Sequence, residues 1–257
     1  MRETRPVAVE TAPDAGEIVL AIDAGNTRIK WGVHDGTGWL TQHWMETARV
    51  AGLKTALAHL PAPSTIVVSN VAGAALRAQL ELALPATTRV RWIESKRAQC
   101  GVRSAYAAPA QLGCDRWAAL IAARRMFGTA AVVVNAGTAL TVDALTGDGV
   151  FAGGVIAPGA DLMRKALAAN TDALLLQEGG FKFFPDTTGD AIMSGAINAS
   201  CGAIERMARF LSEAGDAAPL CVLSGGGAAL IAAHLNLEVK VVDNLVLEGL
   251  LTISREA

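Results

Sequence analysis

Ile18-Val-Leu-Ala-Ile22-Asp23-Ala24-Gly25-Asn26-Thr27-Arg28-Ile29-Lys30-Trp-Gly-Val33 is the stretch on which the fold turns. Its first five residues are apolar and end on an acid, as a buried strand does when it reaches the rim of a sheet. Gly25-Asn26 is a turn signal, and Arg28 to Val33 then alternates polar with apolar, so the run reads as a β-hairpin. Taken alone, such a turn is structural more often than functional. Its setting points further. An acid at a strand end can hold a metal ion through water, and a glycine lets backbone approach a phosphate. Asn26 and Thr27 add polar groups, and Lys30 brings a cation on the returning strand. The GxxxxGK[ST] loop is absent and the turn enters a strand, so a phosphate here is held by a hairpin rather than by a helix-opening loop.

The same grammar returns once. Ala130-Ala-Val-Val-Val134 leads into Asn135-Ala-Gly137-Thr138, and Ala139 to Ala144 follows as a partner strand, with Thr141 and Asp143 on it. This is a repeat of pattern rather than of letters. Around each hairpin the chain alternates strands with helices. Strands are predicted near 39–44, 65–69, 90–93, 220–223 and 238–242. Helices are predicted over 47–60, 73–83, up to Phe127, 160–177, 189–214 and at the C-terminus. Strand triplets followed by helices, given twice, predict an α/β protein with a cleft between two domains. The expected division is a polar extension over 1–16, one domain over 17–129 and a second over 130–257.

Composition narrows the class. Of 257 residues, 52% are hydrophobic and the formal charge is −2, which supports a large core and argues against a nucleic-acid surface. Lys96-Arg97 and Arg124-Arg125 are isolated pairs that read as solvated faces. Cysteines 100, 114, 201 and 221 form no CxxC pair, as expected of free thiols in a reducing cytoplasm. Residues 1–16 lack the apolar block of a signal peptide, and the charge-free stretch from Ala217 to Leu237 is broken by a proline and three glycines. A soluble cytoplasmic protein is the expectation, with no membrane partner.

Three further segments carry chemistry. Gly113-Cys114-Asp115-Arg116 opens a helix, where an acid is as easily a cap as a base. Read chemically, Asp115 orients or deprotonates a substrate hydroxyl and Arg116 binds an anion. Cys114 has no histidine near it in sequence and reads as packing. Gly225-Gly-Gly227 after a strand suits close approach of an adenine or ribose, and equally a plain turn. Gly147-Asp-Gly149-Val-Phe-Ala152 fits GxGxxA in letters but lies between strands, which excludes a dinucleotide fold.

In order, Asp23-x-Gly-Asn-Thr-x-x-Lys30, Tyr106-x-x-Pro109, Gly113-x-Asp-Arg116 and Gly137-Thr-Ala139 resemble the type III pantothenate kinase family of coenzyme A biosynthesis, within the actin/Hsp70-like ATPase superfamily. Gly153-Gly-x-Ile-x-Pro-Gly159, Thr188-x-x-Ala-Ile192 and Gly225-Gly-Gly227 extend the match over nearly the whole chain from residue 18. The resemblance implies two RNase H-like domains, each a mixed sheet flanked by helices. It implies a homodimer with the active site near its interface and ATP-dependent phosphorylation of pantothenate. Asp23, Ala24, Gly25, Asn26, Thr27, Arg28, Ile29, Lys30 and Thr138 are then the ATP-binding positions, with Asp23 near Mg²⁺. Tyr106, Gly113, Cys114, Asp115, Arg116 and Thr188 are the pantothenate positions, and Asp115 the proton acceptor. Family members take a monovalent cation, potassium or ammonium. Asn135 stands where the family often has Asp, keeping an oxygen ligand without its charge, so no metal residue is assigned. Two alternatives stay open at this point: a kinase of the same superfamily acting on a sugar or short acid, and a nucleotide-binding regulatory protein without turnover.

Overall fold

In the computed structural model, residues 17–86, 88–170, 178–216 and 218–256 are described. The first sheet is built from β1 (Val19–Ala24), β2 (Arg28–His34), β3 (Trp39–Glu46), β4 (Thr65–Asn70) and β5 (Val90–Trp92), in the order β3-β2-β1-β4-β5. β1 pairs antiparallel with β2 and parallel with β4. The second sheet repeats this plan with β8 (Ala131–Ala136), β9 (Ala139–Leu145), β10 (Val150–Pro158), β11 (Leu220–Ser224) and β12 (Val239–Val241). Its order β12-β11-β8-β9-β10 is the first order read from the other edge, with the same pattern of parallel and antiparallel neighbours. The repeat seen in the sequence is therefore a repeat of topology. Beyond β10 the sheet takes on two short strands, β6 (Ala98–Gln99) and β7 (Val102–Ser104), so it reaches back across residue 129.

Helices cover every sheet face. α1 (Leu53–Leu57) and α2 (Gly73–Ala83) pack on the outer face of the first sheet, where Leu20, Ile22, Val68, Leu53, Leu76 and Leu80 share one core. α5 (Thr188–Glu213) and α6 (Ala228–Ala232) do the same for the second sheet, through Val132, Val134, Ile197 and Ile204. Between the sheets lie α3 (Cys114–Phe127) and α7 (Leu245–Ser254) in a third core with Val19, Ala21, Val133 and Val222. Alternate residues of β1 and β8 thus point into different cores. That is why these strands are apolar throughout rather than alternating. α4 (Ala160–Asn170) packs on β10. The helix expected over 47–60 is instead a 3-10 segment, Thr47–Gly52, kinked at Arg49, which is off helical geometry, and followed by the short α1. The expected helix over 160–177 is seen to Asn170; residues 171–177 and the extension over 1–16 lie outside the described residues.

α3 and α7 meet through small side chains. A Cβ on Gly249 would fall 1.9 Å from the carbonyl oxygen of Ala118, so the two backbones are in contact at that point. Replacing a helical glycine by alanine ordinarily stabilises by about 0.5–1 kcal/mol. Here overpacking, costing about 1–3 kcal/mol, outweighs that gain. Gly249→Ala is therefore expected to lower the urea midpoint, and an unchanged or raised midpoint would contradict the packing described.

Candidate active site

The two glycine turns meet. In the first, Gly25 N–H donates to the Arg28 carbonyl at 3.0 Å, and Thr47 ties the turn down through its hydroxyl to the Gly25 carbonyl at 2.7 Å. In the second, Gly137 N–H donates to the Ala139 carbonyl at 3.0 Å. The hydroxyls of Thr27 and Thr138, 111 residues apart in sequence, lie 3.1 Å from each other. Asn26, Thr27 and Arg28 are exposed, and the Arg28 guanidinium lies 4.3 Å over the Trp44 ring. Ala24 and Ile29 turn their side chains into the core, so within the run Asp23–Lys30 those two positions offer backbone only.

Two other glycine motifs build the second turn. Gly159 N–H donates to the Thr138 carbonyl at 2.9 Å, and a Cβ there would fall 2.1 Å from the Gly137 oxygen. Gly225, at φ +100°, would place a Cβ 2.5 Å from the Ala136 oxygen, and Gly227 N–H donates to that same oxygen at 2.9 Å. Gly153–Gly159 and Gly225–Gly227 thus frame one loop.

Below the turns sits an acidic cluster. Asp23 lies opposite Lys30 on β2 and beside Ser69 on β4. Burial, then the neighbouring Asp115 charge, push its pKa up to about 7; Lys30 and a hydrogen bond from Ser69 pull the other way without prevailing. Asp115, in the first turn of α3, is partly buried, and that burial raises its pKa. Its carboxylate accepts from the Arg116 N–H at 2.8 Å. Gly113 leaves room for it, since a Cβ there would fall 2.5 Å from Asp115 Oδ1. Arg116 is held by the buried Asp143 on β9, with Nε 3.2 and 3.1 Å from the two carboxylate oxygens. Tyr106 packs against Phe151 at 4.9 Å with the rings tilted and, with Asp143, supports the charge on Arg116. The Cys114 thiol lies 3.3 Å from the Ser69 hydroxyl and burial raises its pKa, in keeping with a packing role.

The structure therefore gathers Asp23, Lys30, Asp115 and Arg116 at the mouth between the sheets, beside the joined turns. Thr188, in the first turn of α5, is exposed, and no contact joins it to Asp115 or Arg116 among the described residues. Ser69 and Asp143 complete the cluster. Ser69 is signalled only by ending a strand that runs parallel to β1; the Arg116 partnership of Asp143 has no local signal. A cavity of about 10 Å³, the room of one water, is lined by Asp115, Arg116, Asn135, Thr141 and Asp143 with Ala119 and Val133. Among the described residues no three metal-binding side chains converge. A magnesium ion needs no such cage, being held by one or two carboxylates plus substrate phosphates. Asp23, its pKa raised by burial and by the Asp115 charge, fits that demand.

Paired strand–glycine–strand turns between two sheets of the same order define an actin-like ATPase fold. Solved structures agree on the fold. A protein from Campylobacter jejuni described as a Baf family transcriptional activator aligns with TM-score 0.61 at 20% identity over 91% of this chain and 96% of its own. One from Sinorhizobium meliloti, described as a 2-dehydro-3-deoxygalactonokinase, aligns with TM-score 0.58 at 15% identity over 92% and 98%. At such identities the likeness speaks to fold alone. Sequence is more specific. The family model for type III pantothenate kinase matches residues 19–209. A type III pantothenate kinase from Nitrosospira multiformis is 48% identical over 240 residues, covering 93% of this chain and 92% of that protein. The chain belongs to the type III pantothenate kinase family.

The Asp23 shift has a consequence for stability. Its folded pKa, about 7, lies above the ordinary 3.8, so the folded state keeps a proton that the unfolded chain has lost. The contribution to stability is therefore largest at acidic pH and falls as pH rises through 7. Measured without nucleotide or magnesium, wild type is expected to lose stability relative to Asp23→Asn between pH 5 and about 7.5. A difference that stays flat over that range would contradict the burial of Asp23.

Proposed function

We propose that this chain transfers the γ-phosphoryl group of ATP to the primary hydroxyl of pantothenate, giving 4′-phosphopantothenate, the first step of coenzyme A biosynthesis. The observation that carries the reading is the placement of Asp115 beside Asp23, directly under the two joined turns. Phosphoryl transfer needs positioning and charge neutralisation more than covalent help. In this reading the Gly25–Thr27 and Gly137–Thr138 turns hold the phosphates with N–H and hydroxyl groups, and Lys30 adds a cation. Magnesium, when bound at Asp23, would neutralise phosphate charge. Arg116 meets the carboxylate of pantothenate. Asp115 orients the acceptor hydroxyl and takes its proton as the new oxygen–phosphorus bond forms and the bond from Pγ to the bridging oxygen of ADP breaks. A carboxylate with a raised pKa is the better base for that step near neutral pH.

Three finer points belong to the same reading. Exposed apolar side chains on β10 (Ile156, 64% exposed) and α4 (Leu162), together with Phe183 and Phe184 (87% and 93%), support a homodimer. A monomer in sedimentation at micromolar concentration would count against it. Asn135 offers a potassium or ammonium ion an amide oxygen without charge, so turnover is to be measured with each ion and with neither. Cytoplasmic residence is supported by the four free cysteines, and no described helix is long and apolar enough to cross a membrane.

Asp115→Asn tests the central assignment. It is expected to lower kcat by about 10²–10⁴ while the protein still binds ATP, as for other positioned acid–base groups. An Asn variant that turns over at the wild-type rate would remove Asp115 from the chemistry.

A further inference from the structure

Arg116 follows Asp115 directly, close enough that its charge favours the ionised Asp115 carboxylate, and a guanidinium released from its partner on β9 would be free to turn toward that carboxylate. Such a pair would occupy both the proton acceptor and the cation meant for the substrate. The packing prevents it from the opposite sheet. Asp143, 1% exposed, accepts from Arg116 Nε at 3.2 and 3.1 Å and also from Nη2, while Arg116 itself is 7% exposed. Gly154, paired with Asp143 in register on β10, makes the space. A Cβ there would fall 2.1 Å from Asp143 Oδ1 and 2.6 Å from Arg116 Nη2. Tyr106, packed against Phe151, supports the charge of the guanidinium. Asp115 is left with the Arg116 backbone N–H as a partner, and it borders the water-sized cavity together with Asp143.

We propose that Asp143 is a positioning residue: it draws the Arg116 side chain away from Asp115, keeping the carboxylate free for the substrate hydroxyl and the guanidinium's remaining hydrogens aimed at the substrate carboxylate. This inference rests on the pantothenate kinase reading. A buried ion pair can also be purely structural, since removing one partner strands a buried charge. The two roles differ in what they do to each substrate. A structural role lowers the amount of folded enzyme. A positioning role changes pantothenate kinetics per folded molecule and acts only while Arg116 is present.

Steady-state kinetics of wild type, Asp143→Asn, Asp143→Glu, Arg116→Gln and the Arg116→Gln/Asp143→Asn double variant separate them, with folded fraction measured for each. Asp143→Asn is expected to raise the KM for pantothenate and lower kcat by about 10-fold or more each, with the KM for ATP moving by less than about twofold. Asp143→Glu recovers part of the loss. In the Arg116→Gln background the same Asp143→Asn change is expected to cost less than about twofold, because the group it restrains has gone. Equal losses in both backgrounds would overturn the proposal. So would a rise in both KM values together, or unchanged constants per folded molecule. Should Asp143→Asn not fold, Gly154→Ala displaces the pair with both charges intact and is read by the same split. Wild-type turnover of pantothenate tests the underlying reading separately, so an active wild type with an unmoved Asp143→Asn sinks this inference alone.

Discussion

The contact between the backbones of α3 and α7 at Ala118 and Gly249 is the constraint on which the rest of the molecule depends. No side chain fits between the helices there, and the 1.9 Å approach of a hypothetical Cβ shows how little room remains. α3 is consequently wedged between the two sheets, with residues 116–123 all buried. A helix held on every side fixes the position of its own first turn. That turn carries Asp115 and Arg116, and it emerges where the glycine turns of the two sheets converge. The small residues Ala118, Ala119, Ala122 and Ala123 are thus part of how the site is placed, and Ala119 also lines its small cavity. Close packing of this kind transmits displacement, because a dense interior has few voids to absorb it.

The symmetry of the sheets accounts for the other half of the site. Two strands of the same topological position, β1 and β8, each end in a glycine turn, and the shared core brings the turns within hydrogen-bonding distance at Thr27 and Thr138. One turn would be an unremarkable hairpin end. Two turns facing each other make a cleft above two carboxylates, of which Asp23 is raised by burial and by the charge of Asp115. Lys30 opposes part of that charge, and Asp23 still keeps a raised pKa that further positive charge would relieve. Bound magnesium and nucleotide together would supply that charge and the phosphates for the turns to hold.

Much of this was legible in the sequence, for identifiable reasons. Both hairpins follow from apolar runs punctuated by Gly and Asn, because a strand buried on both faces, as β1 and β8 are, leaves a continuous apolar signature. The helix over 47–60 was overstated. Val50 and Leu53 are its two fully buried residues, too few to hold the whole span helical, and Arg49 departs from helical geometry. β6 and β7, of two and three residues, are not signalled in the sequence. β10 was masked by Gly153, Gly154 and Pro158, and a register shift between Phe151 and Gly153 interrupts its ladder. In the site, Asp23, Asp115 and Thr138 announced themselves through local motifs. The Arg116–Asp143 pair did not, because it joins a helix to a strand 27 residues on and only the fold makes them neighbours. Thr188 stands the other way round: a motif marks it, but among the described residues no contact connects it to the cluster.

The claim that unites these features is that the cleft carries out one reaction, transfer of a phosphoryl group to the hydroxyl beside Asp115. Phosphorus NMR of wild-type protein incubated with ATP, magnesium and pantothenate tests it most directly. The account predicts a phosphomonoester signal coupled to the methylene protons of the former primary alcohol, appearing in step with ADP. Formation of ADP and inorganic phosphate without that ester, or no turnover in either potassium or ammonium, would contradict it.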